Sequence, residues 1–430
     1  MRSKAFISLC IIFVLITWLQ HEMIASAVVS FATWCALVLS HPGSLTTYWH
    51  PVLAEYWLAG VVWIATAMWM TKRILTILRN QGRHEGALAT DPASGILLTQ
   101  NRSVYMLAVI AYVAITAPFL TPINPNVQGN LITTRLLPPL SIGYVREYLD
   151  QGIKSSEASG VNGLFSTTRN YLLNRTVLVS GNLDELSHTD PGSIVIREFR
   201  TIFLFGTDDN ARDVFSRVVV GTRVSLGIGL GAAFGALLIG AAIGFAAGMS
   251  RGFVDAILMR LTDLFLAIPS LFLVIAVLAF IGQSIAAVVL VLSFSGWMSI
   301  ARIVRGEVVS LREREFILAA KLLQVPTRKI IVRHLIPNIK PVLITSAVLQ
   351  FANAALAEAA LGFLGLGIQP PTASWGNMMG EATGYLGSAW WVGVFPGVML
   401  AAVIVSAQSV GETTNTTDDR LTSATLSTQE

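Results

Sequence analysis

From Val224 to Ser250 the chain runs without a single Asp, Glu, Lys or Arg. A stretch that long and apolar spans the roughly 30 Å hydrocarbon core of a bilayer as a helix, and a backbone there must satisfy its own hydrogen bonds. Further apolar segments at about 5–20, 24–40, 54–71, 103–121, 258–281, 284–304, 340–366 and 389–409 repeat the pattern. The first two are short enough to lie at the membrane interface instead. Composition agrees, with 53% hydrophobic and 13% charged residues, roughly half the charge of a soluble domain. Mean hydropathy is +0.65. The expected fold is an all-α integral membrane protein with lipid around it and no nucleic acid as partner.

Basic residues orient such a chain, because loops rich in Lys and Arg resist export. Between Arg302 and Lys340 lie nine bases against three acids (Glu307, Glu313, Glu315), a net of +6. That loop is expected to be cytoplasmic. Counting spans outward then puts the turn with Arg251 and Arg260 inside, the loop 72–102 with Lys72, Arg73, Arg79, Arg83 and Arg102 inside, and 122–215 outside. The last carries eight bases and ten acids, a net of −2. Two spans ahead of residue 72 fit this count better than three, which would leave Arg2 and Lys4 outside. The start, MRSK followed by an apolar run and Ala25-Ser26-Ala27, has the form of a signal peptide, and a retained helix fits equally well because more apolar segments follow. The Thr-, Ser- and Asp-rich tail 412–430 is expected to be flexible.

No catalytic constellation emerges. Gly248-Met249-Ser250-Arg251-Gly252 matches G-x-S-x-G but follows a spanning helix, not the strand that gives that motif its meaning; it reads as a turn. His21-Glu22 lacks the second histidine of a zinc-protease helix. Cys10 and Cys35 support neither a disulfide framework nor a metal site. A nucleotide-binding P-loop needs Gly-Lys before Ser or Thr, and the chain has no Gly-Lys pair. If ATP drives this protein, another polypeptide must bind it. No cofactor or metal is expected.

Asp263 and Glu358 sit in apolar surroundings, where an ionisable group faces a cavity or a partner. They either line a solute path or hold helices in register, Asp263 then pairing with Arg260 or with backbone. Glycines at 227, 231 and 235, then 240, 244 and 248, form small-xxx-small tracks that let helices approach closely; Gly231, Gly235, Gly240 and Gly244 are the expected packing positions.

The most basic amphipathic piece reads FILAAKLLQVPTRKIIVRHLIPN, from Phe316 to Asn338. One helix over 313–324 would present Phe316, Ile317, Ala320 and Leu323 on an apolar face. Val325-Pro326-Thr327 breaks it, Pro326 suiting the first turn of a second helix, and Pro337 is expected to stop that helix. Two readings fit this pattern: a docking element for a soluble partner, or a helix pair resting on anionic lipid.

Several motifs resemble the permease subunits of bacterial ABC importers of the dipeptide/oligopeptide/nickel family: GTDDNARDVFSRVVVGTRVSL (206–226), DAILMRLTDLFLAIPSLFLVI (255–275), GWMSIARIVRGEVVSLREREF (296–316) and FLGLGIQPPTASWGNM (363–378). The amphipathic piece is similar to the family's coupling motif, E-A-A-x3-G-x9-I-x-L-P. In that register Leu318 stands at the Glu, Ala319 and Ala320 follow, Gln324 stands at the Gly, His334 at the Ile, Ile336 at the Leu and Pro337 at the Pro. Losing the glycine is a real departure, since a Gln with φ > 0 is unfavourable. Ala211 likewise replaces a usual glycine.

The resemblance implies a type I ABC importer transmembrane fold with extra N-terminal helices. Residues 1–102 would be additional membrane segments and a cytoplasmic linker, 103–121 the first core helix, 122–215 an external segment and 216–411 the core domain, with a coupling loop over 305–339 that carries Glu315 and Pro326. It further implies the second, C-type permease of a heterodimer in the bacterial inner membrane. The partners would be a second permease, two ABC ATPase subunits and a periplasmic or lipoprotein solute-binding protein. The substrate would be a peptide, with nickel or another small solute as the alternative within the family and a secondary transporter as a remoter one.

Overall fold

A computed structural model describes residues 2–40, 49–80, 93–121, 123–149, 164–165, 168–169, 175–181, 194–250 and 252–427. Among these, seven helices are long and apolar enough to cross a membrane. They are His21–Ser40, Pro51–Lys72, Ser103–Leu120, Val214–Met249, Ile285–Arg312, Thr327–Phe363 and Trp391–Gly411. The helix Arg2–Leu19 contributes only the shorter apolar piece Cys10–Leu19, which leaves two qualifying spans ahead of residue 72. Ala25-Ser26-Ala27 lies inside the helix His21–Ser40. Arg83 and Arg251, both expected on the basic side, lie outside the described residues.

The apolar run 258–281 is not one continuous helix but a pair, Phe253–Leu266 and Ser270–Ile281, that meet at 83° and together are long and apolar enough to cross a membrane. Pro269 is the cause: it has no N–H to continue the ladder, and Ile268 N–H turns back to the Phe265 carbonyl at 3.2 Å. From 412 the tail continues the helix Trp391–Ser427, in a sequence that holds no Gly or Pro between Glu412 and Ser427.

The chain divides into two compact units. One comprises Met1–Thr90, Ala111–Arg223 and Tyr385–Val392. Its helical core joins Met23, Leu53, Trp57, Trp63, Phe119 and Phe165. Apolar helices gain little by packing on one another in lipid, so polar contacts matter there. Trp57 Nε1 donates to Ser30 Oγ and Trp63 Nε1 to Thr17 Oγ1, both at 3.0 Å. This unit also holds a three-stranded antiparallel sheet in the order β2-β1-β3, with β1 Ser141–Leu149, β2 Arg175–Ser180 and β3 Ile194–Phe203. Gly143, Val145 and Glu147 alternate as buried positions along β1, the period-two pattern of a strand. Val145, Val179, Phe203 and Ile123 form the core beneath it.

The second unit comprises Asp91–Ile110, Val224–Gly384 and Gly393–Glu430. In it the glycines of Val214–Met249 approach Ile285–Arg312 closely. A Cβ at Gly240 would lie 2.6 Å from the Trp297 carbonyl oxygen, one at Gly244 2.7 Å from the Ala301 oxygen and one at Gly248 2.7 Å from Val308. Gly235 faces Ser293 in the same tight way, Gly231 meets Val289 at 3.2 Å, and Gly227 faces open space. The two backbones are therefore too close for any side chain over three helical turns.

Candidate coupling hairpin and intramembrane polar sites

The helix Ile285–Arg312 leads into a short helix Glu315–Leu322, then Thr327–Ile330. Between them Val325 N–H donates to the Ala320 carbonyl at 3.1 Å and Leu323 N–H to the Ala319 carbonyl at 3.0 Å. Gln324 has φ +55°. This is a Schellman closure, in which the residue after the helix is left-handed and is usually glycine. Gln324 adopts the glycine conformation at a cost of about 1 kcal/mol. Pro326 caps the next helix, its carbonyl accepting from Lys329 and Ile330 at 2.8 and 3.1 Å.

Pro337 does not stop that helix. Residues Ile331–Leu335 form a π-turn that runs directly into Ile336–Phe363. Ile336 N–H donates to the Ile331 carbonyl, and the wider turn makes room for a proline ring that would otherwise strike the carbonyl four residues back. His334, half-buried, lies in this turn, and its carbonyl accepts from Asn338 Nδ2 at 2.6 Å.

The hairpin presents two faces. Ile317, Ala320, Ile330, Leu335 and Ile339 are buried against Ala236, Ile300, Val304 and Val308. Ala320 is thus buried in its own chain. Its neighbour Ala319 is exposed with Glu315, Leu318, Gln324 and Pro326. Leu322 and Leu323 are 85% and 78% exposed, and Phe316 and Val332 also point outward, as do Arg328 and Lys329. An uncovered apolar patch with basic residues beside it marks an interaction surface.

Behind the hairpin, Ile285–Arg312 is tied to its neighbours by arginines. Arg305 bonds Asp255 through two nitrogens at 2.5 and 2.6 Å. Arg312 donates to the carbonyls of Gly248 and Ser250 at 2.7 and 3.0 Å, closing the C-terminus of the glycine-rich helix. Asp263 pairs with Arg302 at 2.5 Å, not with Arg260, and both partners are about half exposed. Glu358 is 1% exposed. Ser225 and Ser374 lie beside its carboxylate, yet neither oxygen makes a well-formed hydrogen bond. Ser225 Oγ also accepts from Trp375 N–H at 3.2 Å, so these residues join three helices. A Cβ at Gly376 would sit 2.7 Å from the Ala359 oxygen, which adds a second close helix crossing in the segment 363–378.

A buried ionic knot, not assigned from the sequence, precedes the helix Val214–Met249. Asp208, Arg212, Asp213 and Arg217 are each at most 4% exposed. Asp208 Oδ2 accepts from Arg212 Nε at 2.7 Å and faces Arg217 Nε at 3.4 Å, while Oδ1 accepts from the N–H groups of Asn210 and Arg212. Ala211 completes the loop at φ +56°. Burial pushes the Asp213 carboxyl up to about 6, although it accepts from Ser216.

The family description "Binding-protein-dependent transport system inner membrane component" matches residues 239–412, which include the hairpin and Gly240, Gly244 and Gly248. The dipeptide transport system permease protein DppC of Alkalihalophilus pseudofirmus is 40% identical over 208 residues, 48% of this chain and 68% of that protein. The oligopeptide transport system permease protein OppC of Escherichia coli is 40% identical over 208 residues, 48% of this chain and 69% of that protein. An inward-facing structure of the MetNI methionine ABC transporter overlaps with a TM-score of 0.38 at 21% identity, covering 45% of this chain and 93% of that one. With seven helices long and apolar enough to cross a membrane among the described residues and identity of this order across two thirds of a relative, the chain belongs to the binding-protein-dependent transport system inner membrane components, as a multi-pass permease of the inner membrane.

Proposed function

We propose that the chain forms the membrane path of an ATP-driven importer of di- or oligopeptides. The observation that carries this reading is the 40% identity to permeases named for dipeptide and oligopeptide transport. Separate ATPase subunits supply the energy, a solute-binding protein delivers the peptide from outside, and a second permease completes the path, this chain taking the C-type position. The loop 305–339 faces the cytoplasm and 122–215 the outside, as the +6 net charge between Arg302 and Lys340 and the −2 of 122–215 favour. Residues 1–102 are an addition to the core formed by 103–121 and 216–411.

The exposed patch of Leu318, Ala319, Leu322 and Leu323 is the ATPase-docking face, and the buried face of the same hairpin carries its movement to Ile285–Arg312. Closure of the ATPases then tips the helices between inward- and outward-open states, with no covalent chemistry in this chain. The test is reconstitution in proteoliposomes with the partner permease, ATPases and binding protein. ATP-dependent uptake of a labelled dipeptide or oligopeptide is expected. Uptake of nickel but of no peptide would overturn the substrate assignment.

A further inference from the structure

The break at 267–269 leaves non-helical backbone within a pair of helices that together are long and apolar enough to cross a membrane. Irregular backbone is tolerated at that depth only where protein covers it or a wet cavity borders it. A cavity of about 440 Å³ lies there, lined by Pro269 and Ser270 at the break, Ser295 and Ser299 on Ile285–Arg312, and Gln350 and Asn353 on Ile336–Phe363. Its lining contains no Lys, Arg, Asp or Glu. Ser270, Ser299 and Asn353 are exposed, so the cavity opens to one side. An exposed carboxamide facing hydrocarbon would cost a few kcal/mol, which favours water or solute at this position over lipid. Gln350 is seated over Gly296, where any Cβ would overlap its amide.

We propose that this cavity is a membrane-level station on the solute path, holding the main-chain amides of a peptide through uncharged donors and acceptors. The proposal rests on the peptide-import reading. A peptide bond presents one donor and one acceptor, and carboxamides offer both. Left unpaired in an apolar surrounding, each would oppose passage. A fixed charge would select solutes by side-chain charge and hold the opposite sign tightly, whereas a path must bind weakly enough to release. The volume falls in the range of roughly 300–1,000 Å³ typical of small-ligand sites. Asn353 and Gln350 are the expected contacts, and Gly296 is a positioning residue that leaves room for the Gln350 amide.

The test has two arms in the complete reconstituted importer. First, with Cys10 and Cys35 replaced by Ser, Asn353→Cys is treated with a water-soluble, membrane-impermeant maleimide from both sides of the membrane. Labelling, slowed by transported peptide, is expected; no labelling from either side would overturn the proposal. Second, peptide uptake is compared for wild type, Asn353→Leu, Gln350→Leu and Gly296→Ala at equal amounts of assembled complex. Uptake roughly tenfold lower or worse for both Leu variants is expected, the scale of one lost hydrogen bond, with a smaller loss in Gly296→Ala that Gly296→Ser shares. Wild-type uptake in both Leu variants would overturn it. Should a Leu variant fail to assemble, Asn353→Ser, which keeps a hydroxyl but shortens the reach, carries the same comparison. If wild type itself moves no peptide while the maleimide arm shows a water-filled, solute-protected cavity, the substrate reading fails and the cavity assignment stands.

Discussion

Val325 donates its N–H to the Ala320 carbonyl, and that one bond closes the hairpin over a left-handed Gln324. The closure holds Val325 against the cluster that buries Ala320, so the backbone at 324 fixes the angle between the two short helices. A glycine there would remove the strain. Gln324→Gly is expected to stabilise the hairpin by about 1 kcal/mol and to hold or raise coupled activity, while Gln324→Val, β-branched at positive φ, lowers both. Hydrogen exchange of the 315–335 amides and ATP hydrolysis stimulated by binding protein measure the two effects.

The glycine track predicts a steric result. Gly244→Leu places a side chain where even a Cβ would lie 2.7 Å from Val304 and from the Ala301 oxygen. Overpacking of this kind costs about 1–3 kcal/mol or more. Less assembled complex and a lower melting temperature are expected, whereas Gly227→Leu, which faces open space, leaves both near wild type. Thermal unfolding in detergent compares the pair.

The ionic knot predicts a large loss from a small change. Asp208→Asn keeps shape but removes the carboxylate charge that Arg212 and Arg217 face, and removing one partner of a buried pair costs about 3–5 kcal/mol. Asp213 adds a pH dependence. Its folded carboxyl titrates at about 6, raised from 3.8 by burial, so the folded state binds the proton more tightly than the unfolded one. Its contribution is therefore full below pH 3.8 and lost as pH rises through about 6. Asp213→Asn is expected to flatten the stability profile between pH 4 and 6, as read from denaturation midpoints across that range.

The spanning helices were legible in the sequence because long uncharged apolar runs have one structural solution in lipid. The break at Pro269 was not, since the run stays apolar on both sides and a proline in a membrane helix is compatible with a simple kink. Periodicity showed that the hairpin is amphipathic but not which apolar residues its own chain covers; Ile317 and Ala320 turned inward and Leu322 outward through packing against Ile300 and Val304, contacts remote in sequence. The same limit hid the knot. Asp208, Arg212 and Arg217 stand in a polar stretch where charges normally meet solvent, and only the φ +56° turn at Ala211 folds them onto one another. Strand β1, in contrast, is legible, since SIGYVREYL carries the alternation of a strand.

The central claim is that the outward face of the hairpin docks an ATPase, and Leu322 and Leu323 test it most directly because both are exposed and their replacement leaves the hairpin's own core intact. The measurement is ATPase co-purification with the Leu322→Lys/Leu323→Lys double variant, alongside ATP hydrolysis stimulated by binding protein. Loss of two apolar anchors at a docking interface is worth about 2 kcal/mol or more, so recruitment at least tenfold weaker and stimulation lost are expected. A helix pair resting on anionic lipid would instead accept the added lysines with a neutral or favourable effect. Undiminished recruitment and stimulation in the double variant would contradict the account.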